Sequence, residues 1–154
     1  EEAYAQKDML LDNVRICIDN IMYLTNCFSE ADRIDRIYIN FCNPWPKSKH
    51  KKRRLTHPRQ LVQYRMLLDG EIWFKTDDDD LFEESLEYFK EAGFRIKQMT
   101  RNLHQEPQMR YFETEHEQMF DEMGKTIKFL IAEPDPSVSM DSLQDLLQYS
   151  ERTH

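Results

Sequence analysis

The sequence predicts an α/β protein, and three features carry that reading. Short apolar, β-branched runs alternate with longer stretches whose apolar residues recur at helical spacing. The run Ile34 to Phe41 leads into Asn43-Pro44-Trp45-Pro46, where two prolines end strand pairing and fix a rigid turn. That turn opens onto Lys47 to Arg59, which holds seven Lys or Arg and no acid. Ligands of open α/β sheets sit just beyond the carboxyl ends of the strands, so this turn and loop are where chemistry belongs.

Taken in order, Glu1 to Leu11 reads as the tail of a helix, with Ala3, Tyr4 and Leu10 or Leu11 on one side. Asn13 to Asp19 reads as a short, mostly apolar strand, and Met22 to Phe28 as a helical turn. Asp35 to Cys42 is a buried strand. At Thr56-His57-Pro58 a capping residue precedes a proline suited to a first helical turn. That helix carries Leu61, Val62, Tyr64, Leu67 and Leu68 as its apolar stripe. Asp69-Gly70 reads as a turn, and Glu71 to Lys75 as a strand that ends at Thr76-Asp77. Leu81 to Ala92 is a helix, with Leu81, Phe82, Leu86 and Phe89 inward and Gly93 as its stop. Phe94 to Met99 is a strand, and Thr100 to Thr114 a polar loop containing Pro107. Glu115 to Glu122 is a short helix, and Lys125 to Ala132 a last strand that pairs hairpin-like with its predecessor. After Pro134 and Pro136, Met140 to Tyr149 reads as helical. The chain thus divides into a domain over residues 1–134 and a C-terminal helical tail over 135–154.

A chain of 154 residues with 40% hydrophobic and 32% charged residues is the size and make-up of one soluble globular domain. No apolar run approaches the ~18 residues of a membrane span, and no signal-peptide pattern opens the chain. Cys17, Cys27 and Cys42 form no C-x-x-C pair and sit in or beside apolar segments, which predicts reduced, buried thiols in a cytosolic protein. His57, His104 and His154 lack metal-ligand spacing, so no metal is expected. A net charge of −8 argues against a nucleic-acid partner until its distribution is considered. An acidic body with a single cationic loop predicts a localised anion contact, the alternative being a merely solvated run.

Asn40 to Arg54 reads N-F-C-N-P-W-P-K-S-K-H-K-K-R-R, and F-K-T-D at Phe74 to Asp77 and T-E-H-E at Thr114 to Glu117 follow it. In that order and spacing the motifs resemble those of the bacterial tRNA (guanine-N7-)-methyltransferases, over roughly Asn13 to Ala132. The resemblance implies a Rossmann-like S-adenosylmethionine-dependent methyltransferase fold, of which this chain carries the C-terminal two-thirds only. The family's opening strand and glycine-rich loop have no counterpart, since Gly70, Gly93 and Gly124 form no G-x-G. It further implies S-adenosyl-L-methionine as cofactor, tRNA as partner, a cytoplasmic location, and methyl transfer to N7 of a guanosine.

Carried over by position, Asn43 takes the place of a catalytic and cofactor-binding residue that is usually Asp. Asn20 falls near the cofactor's adenine, where the adjacent Asp19 can substitute. Lys47, Asp77, Thr114, Glu115, His116 and Glu117 match substrate-binding positions, with His116 in place of Tyr. Lys49, His50, Lys51, Lys52, Arg53 and Arg54 match the RNA-contacting segment.

The residues themselves bear on these roles. Guanine N7 has a free lone pair at neutral pH, so methylation there needs positioning more than proton abstraction. An Asn amide can both accept and donate hydrogen bonds, yet Asn43 can equally do no more than cap the turn before Pro44. Trp45 suits base stacking or burial. Asp77 opens a run of four aspartates that also suits a helix start, and Thr114 and Glu117 have capping-box spacing. The N-P-W triplet also resembles the N-P-P-[YFW] motif of amino-methyltransferases. Two alternatives therefore stand beside the N7 enzyme: an amino-methyltransferase, and a non-catalytic RNA-binding remnant.

Overall fold

Alternation along one strand sets the two layers. In the computed structural model, which describes residues 12–109 and 113–151, Ile72 and Phe74 bury on one face of the sheet and Trp73 and Lys75 on the other. The sheet has four strands: β1 (Ile34–Asn40), β2 (Leu68–Thr76), β3 (Phe94–Thr100) and β4 (Lys128–Pro134). Their order is β1-β2-β4-β3. β1 runs parallel to β2, and β4 is antiparallel to both β2 and β3. Besides the short α1 (Leu24–Cys27), the helices are α2 (Pro58–Leu67), α3 (Asp79–Glu91), α4 (Glu115–Glu122) and α5 (Gln144–Glu151).

The main core packs Leu61, Val62, Leu81, Phe82 and Phe89 of α2 and α3 onto Ile39, Ile72, Phe74 and Leu130. A smaller cluster on the opposite face joins Trp73, Phe129 and Ile131 to Leu103 and Ile127, with Phe41 and Phe120 at its edge. α3 begins where Asp78 accepts from the Leu81 amide, and Asp79 and Asp80 in its first turn suit the positive end of the helix dipole. It ends at Gly93, whose φ of +78° is the left-handed stop that glycine adopts without a Cβ penalty. The tail is anchored at Arg65, whose guanidinium donates to the carbonyls of Asp135 and Val138, and Leu143 is buried in the main core. Among the described residues, no helix is long and apolar enough to cross a membrane.

Several expectations change. The helix expected over Glu1 to Leu11 lies outside the described residues. Asn13 to Asp19 pairs with no strand among them; it stays irregular, with Ile18 98% exposed, and Asn20 then caps a 3-10 turn over Ile21–Tyr23. An apolar run becomes a strand only where a sheet edge meets it in register, a condition its composition does not reveal. Asp69-Gly70 is no turn, because β2 starts directly after α2. Gly70 instead lets β1 close on β2: a Cβ there would lie 1.9 Å from the Asp35 carbonyl oxygen. Cys17 and Cys27 are exposed and Cys42 half-buried, since the segment holding the first two reaches the main core through Leu24 and Ile21 and leaves both thiols outside.

The α2 cap is His57 rather than Thr56. His57 Nδ1 accepts from the Arg59 amide at 3.3 Å, while Thr56 is buried and shares a hydrogen bond with Ser85. Burial, with Arg59, Lys52 and Arg54 nearby, pulls the His57 imidazole from 6.5 down to about 4. The unfolded chain therefore takes up this proton at a higher pH than the folded one. The stabilisation is complete above 6.5 and is lost as pH falls through the window down to about 4. In urea titrations the unfolding midpoint should drop across that window more steeply for the wild type than for His57→Asn, which keeps a capping acceptor but does not titrate.

Candidate active site

Parallel pairing places the exits of β1 and β2 side by side. Asn40 is in register with Lys75, and the Phe41 amide donates to the Lys75 carbonyl at 2.9 Å. The chain then turns through two left-handed residues, Phe41 at φ 52° and Trp45 at φ 42°. Such conformations cost non-glycine residues on the order of 1 kcal/mol each and hold only where surroundings impose them. Here Asn43 Oδ1 accepts from the Trp45 amide at 3.0 Å, and the Phe41 ring stacks on His116 and meets Phe120. The Asn43 oxygen is thus part of the turn, and the residue is otherwise exposed.

α4 docks against this edge. Thr114 and Glu117 form a capping box, in which the Thr114 hydroxyl accepts from the Glu117 amide and the Glu117 carboxylate faces the Thr114 amide. The same Glu117 is fully buried, and its Oε2 accepts from Lys75 Nζ at 2.7 Å. Its other oxygen, Oε1, is buried without a hydrogen-bond partner among the described residues. Capping and site chemistry are therefore not rival readings: one carboxylate oxygen anchors the helix, while the other is buried with its hydrogen-bonding capacity unused among the described residues. Glu115 and His116 are exposed, and Thr114 is half-buried. Asp77 follows β2, half-buried, with Oδ2 3.5 Å from Lys125 Nζ. Lys128, buried in β4, holds that loop by donating to the Asp77 and Thr126 carbonyls and pairing with Asp79.

The basic loop splits by orientation. Lys47 is exposed and precedes a 3-10 turn over Ser48–Arg53. Lys49, Lys52 and Arg53 are exposed. Arg53 lies 5.2 Å over the half-buried Trp45 ring, and His50 meets the same ring edge-on. Arg54 corrects the expectation that the whole run faces RNA. It is 2% exposed; its guanidinium donates to the Pro44 carbonyl, to Glu84 and to the Tyr88 hydroxyl, so it fastens the proline turn to α3. Lys51 is drawn the same way, donating to both oxygens of Glu84. Lys51, helped by Tyr88 and Arg54, keeps the Glu84 carboxyl below the usual carboxylate range despite partial desolvation. Sequence reasoning passed over Lys75, Glu84 and Lys128. Lys75 lay within F-K-T-D, and a lysine inside an apolar strand is the signal that could have found it and Lys128; nothing local marks Glu84, which lies on α3.

Asn20 stands apart from this edge in the sequence and caps its own turn. It lines a cavity of about 550 Å³, with Ile21, Leu24 and Phe28 as apolar wall and Asp32 among its polar groups. Apolar walls with a few polar groups suit a nucleoside. The glycines supply no cradle for the rest of such a cofactor. Gly70 faces the Asp35 backbone, Gly93 packs against Leu143 and Val138, and Gly124 stands clear of any neighbour.

Residues 2–130 match a family model described as Putative methyltransferase. The tRNA (guanine-N(7)-)-methyltransferase of Clostridium beijerinckii is 59% identical over 137 residues, 88% of this chain and 63% of that protein. Proteins of the same name from Clostridium botulinum and Acetivibrio thermocellus are 58% and 51% identical, each over 86% of this chain. The chain spans about six-tenths of the length of these curated relatives. Among solved structures, the M1.HpyAVI-SAM complex is 16% identical with a TM-score of 0.45, over 77% of this chain and 52% of that one, a likeness too loose to specify topology.

Proposed function

The chain belongs to the methyltransferase family whose model matches residues 2–130, and we propose that it methylates N7 of a guanosine in tRNA. One observation supports this most: the turn at Asn43, the Lys75–Asp77 strand end and the Thr114–Glu117 cap meet at one edge of the sheet. S-adenosylmethionine would supply the electrophilic methyl group, with Asn20 and its cavity holding the adenosine end. Everything else asked of these residues is positioning. Guanine offers N–H donors on its Watson–Crick edge while N7 keeps its lone pair. Glu117 Oε1 is a buried acceptor without a partner among the described residues, and Asn43, an exposed residue, brings a donor in Nδ2. Lys47, Asp77, Glu115 and His116 would complete the contacts to the nucleotide. The site of action is the cytoplasm, where tRNA resides.

Lys49, Lys52 and Arg53 would hold the tRNA backbone, with His50 and Trp45 between them. Contacts of this kind give affinity without sequence information and release counterions. The triple change Lys49→Ala, Lys52→Ala, Arg53→Ala should weaken tRNA binding and flatten the slope of log affinity against log salt by roughly one unit for each phosphate no longer held. Filter binding across a salt series measures this. An unchanged slope would make the run a solvated surface. The placement of the three glycines favours a second reading, RNA binding without methyl transfer by these residues alone. That reading predicts the same slope but no modified base.

A further inference from the structure

We propose that Cys17, Asp19 and Cys27 form a binding site for a thiophilic divalent metal ion of the zinc class. One ligand atom from each lies within 4.8 Å of the others. The two sulfurs are 4.0 Å apart, and Cys27 Sγ is 3.0 Å from Asp19 Oδ2. Two thiolates on tetrahedral zinc, at Zn–S distances of ~2.3 Å, stand about 3.8 Å apart. The sulfur pair is therefore close to its bound separation before any ion arrives. Asp19 needs to retreat only by about half an ångström to reach a carboxylate–thiolate edge of such a tetrahedron.

The local chain explains how residues eight and ten apart converge. Asn20 starts a 3-10 turn that α1 continues, and this folds Cys27 back over the irregular segment carrying Cys17 and Asp19. All three residues are exposed and line the mouth of the cavity beside Asn20. An ion can enter without any rearrangement of the core, and a water can fill the fourth position. Binding would release both thiol protons to solvent. The resulting site carries two thiolates and one carboxylate around a doubly charged cation, so its net charge is −1. Two soft sulfurs and one carboxylate select zinc, cadmium or cobalt(II) over magnesium and calcium, which need all-oxygen shells.

The site stands whether or not the methyl-transfer reading does. Asn20 lines the same cavity, so a metal and an adenosine would be neighbours, but the test below contains no cofactor and no RNA. Cobalt(II) is titrated into the fully reduced 154-residue chain without oxygen. Thiolate-to-cobalt charge-transfer absorption and tetrahedral ligand-field bands should grow to one equivalent and disappear on adding zinc. Cys17→Ser and Cys27→Ser should each halve the charge-transfer intensity and weaken binding at least ~10-fold. Asp19→Asn should weaken binding while keeping the sulfur bands, and Cys42→Ser should change nothing. The cadmium resonance of the wild-type chain checks the donor set without any variant and should show two sulfur ligands. No thiolate absorption, bands that persist in the Cys17→Ser, Cys27→Ser double variant, or a cadmium resonance typical of oxygen ligands alone would each overturn the assignment.

Discussion

Lys75→Met should destabilise the protein by about 3–5 kcal/mol, the largest loss expected of any single change at the site. The reason is what it leaves behind. Glu117 is fully buried, and Lys75 Nζ at 2.7 Å is its only cationic neighbour among the ion pairs of the described residues. Removing one member of a buried pair strands the other's charge, whereas replacing both with apolar groups of similar volume can be nearly neutral. Glu117→Leu combined with Lys75→Met should therefore recover most of the loss, and a double-mutant cycle in urea reads the coupling directly. A loss near ~1 kcal/mol for Lys75→Met would place the pair in the class of solvated surface bridges. Phe120 and His116 of α4 also pack on Phe41, so the recovered double variant should fold with α4 in place yet lack the acceptor for the nucleotide.

Asn43→Ala should lower methyl transfer on the order of 10²-fold, as expected for one well-placed polar contact to the reacting group's surroundings. This is measured in the chain with the family's opening strand and glycine-rich loop joined ahead of Glu1. Asn43→Asp should keep most of the activity. Its carboxylate can still accept from the Trp45 amide, so the turn that Asn43 Oδ1 holds at 3.0 Å survives. Rates are compared per folded molecule, because the Ala variant also gives up that hydrogen bond within the turn, worth about 1 kcal/mol of stability. Equal rates for all three proteins would reduce Asn43 to a turn-capping residue.

How far the sequence reveals this site depends on the range of each interaction. The strand ends, the proline turn and the capping box are local, and their residues state them: Asp78 and Gly93 bound α3, and Thr114 and Glu117 open α4. The tertiary uses of those residues are not local. Nothing in K-S-K-H-K-K-R-R separates Arg54, turned inward onto the Pro44 carbonyl, from Arg53, which lies outside over Trp45. That difference is set by Glu84 on α3, thirty residues from Arg54. Gly70 looked like a turn because its reason for being glycine lies beside β1, at the Asp35 carbonyl. The approach of Cys27 to Cys17 likewise depends on a short 3-10 turn that apolar periodicity does not record.

Chemical scission of treated tRNA reads the proposed reaction itself. The chain, joined to the family's glycine-rich segment, is incubated with S-adenosylmethionine and unmodified tRNA, and the tRNA is then reduced with borohydride and cleaved with aniline. Only a guanosine methylated at N7 becomes labile to this treatment. Methylation at N7 predicts scission at a discrete guanosine, abolished by Asn43→Ala and retained with Asn43→Asp. Transfer of labelled methyl groups to tRNA that stays resistant to scission would contradict it, and would assign the Asn-Pro-Trp turn to an exocyclic amine instead.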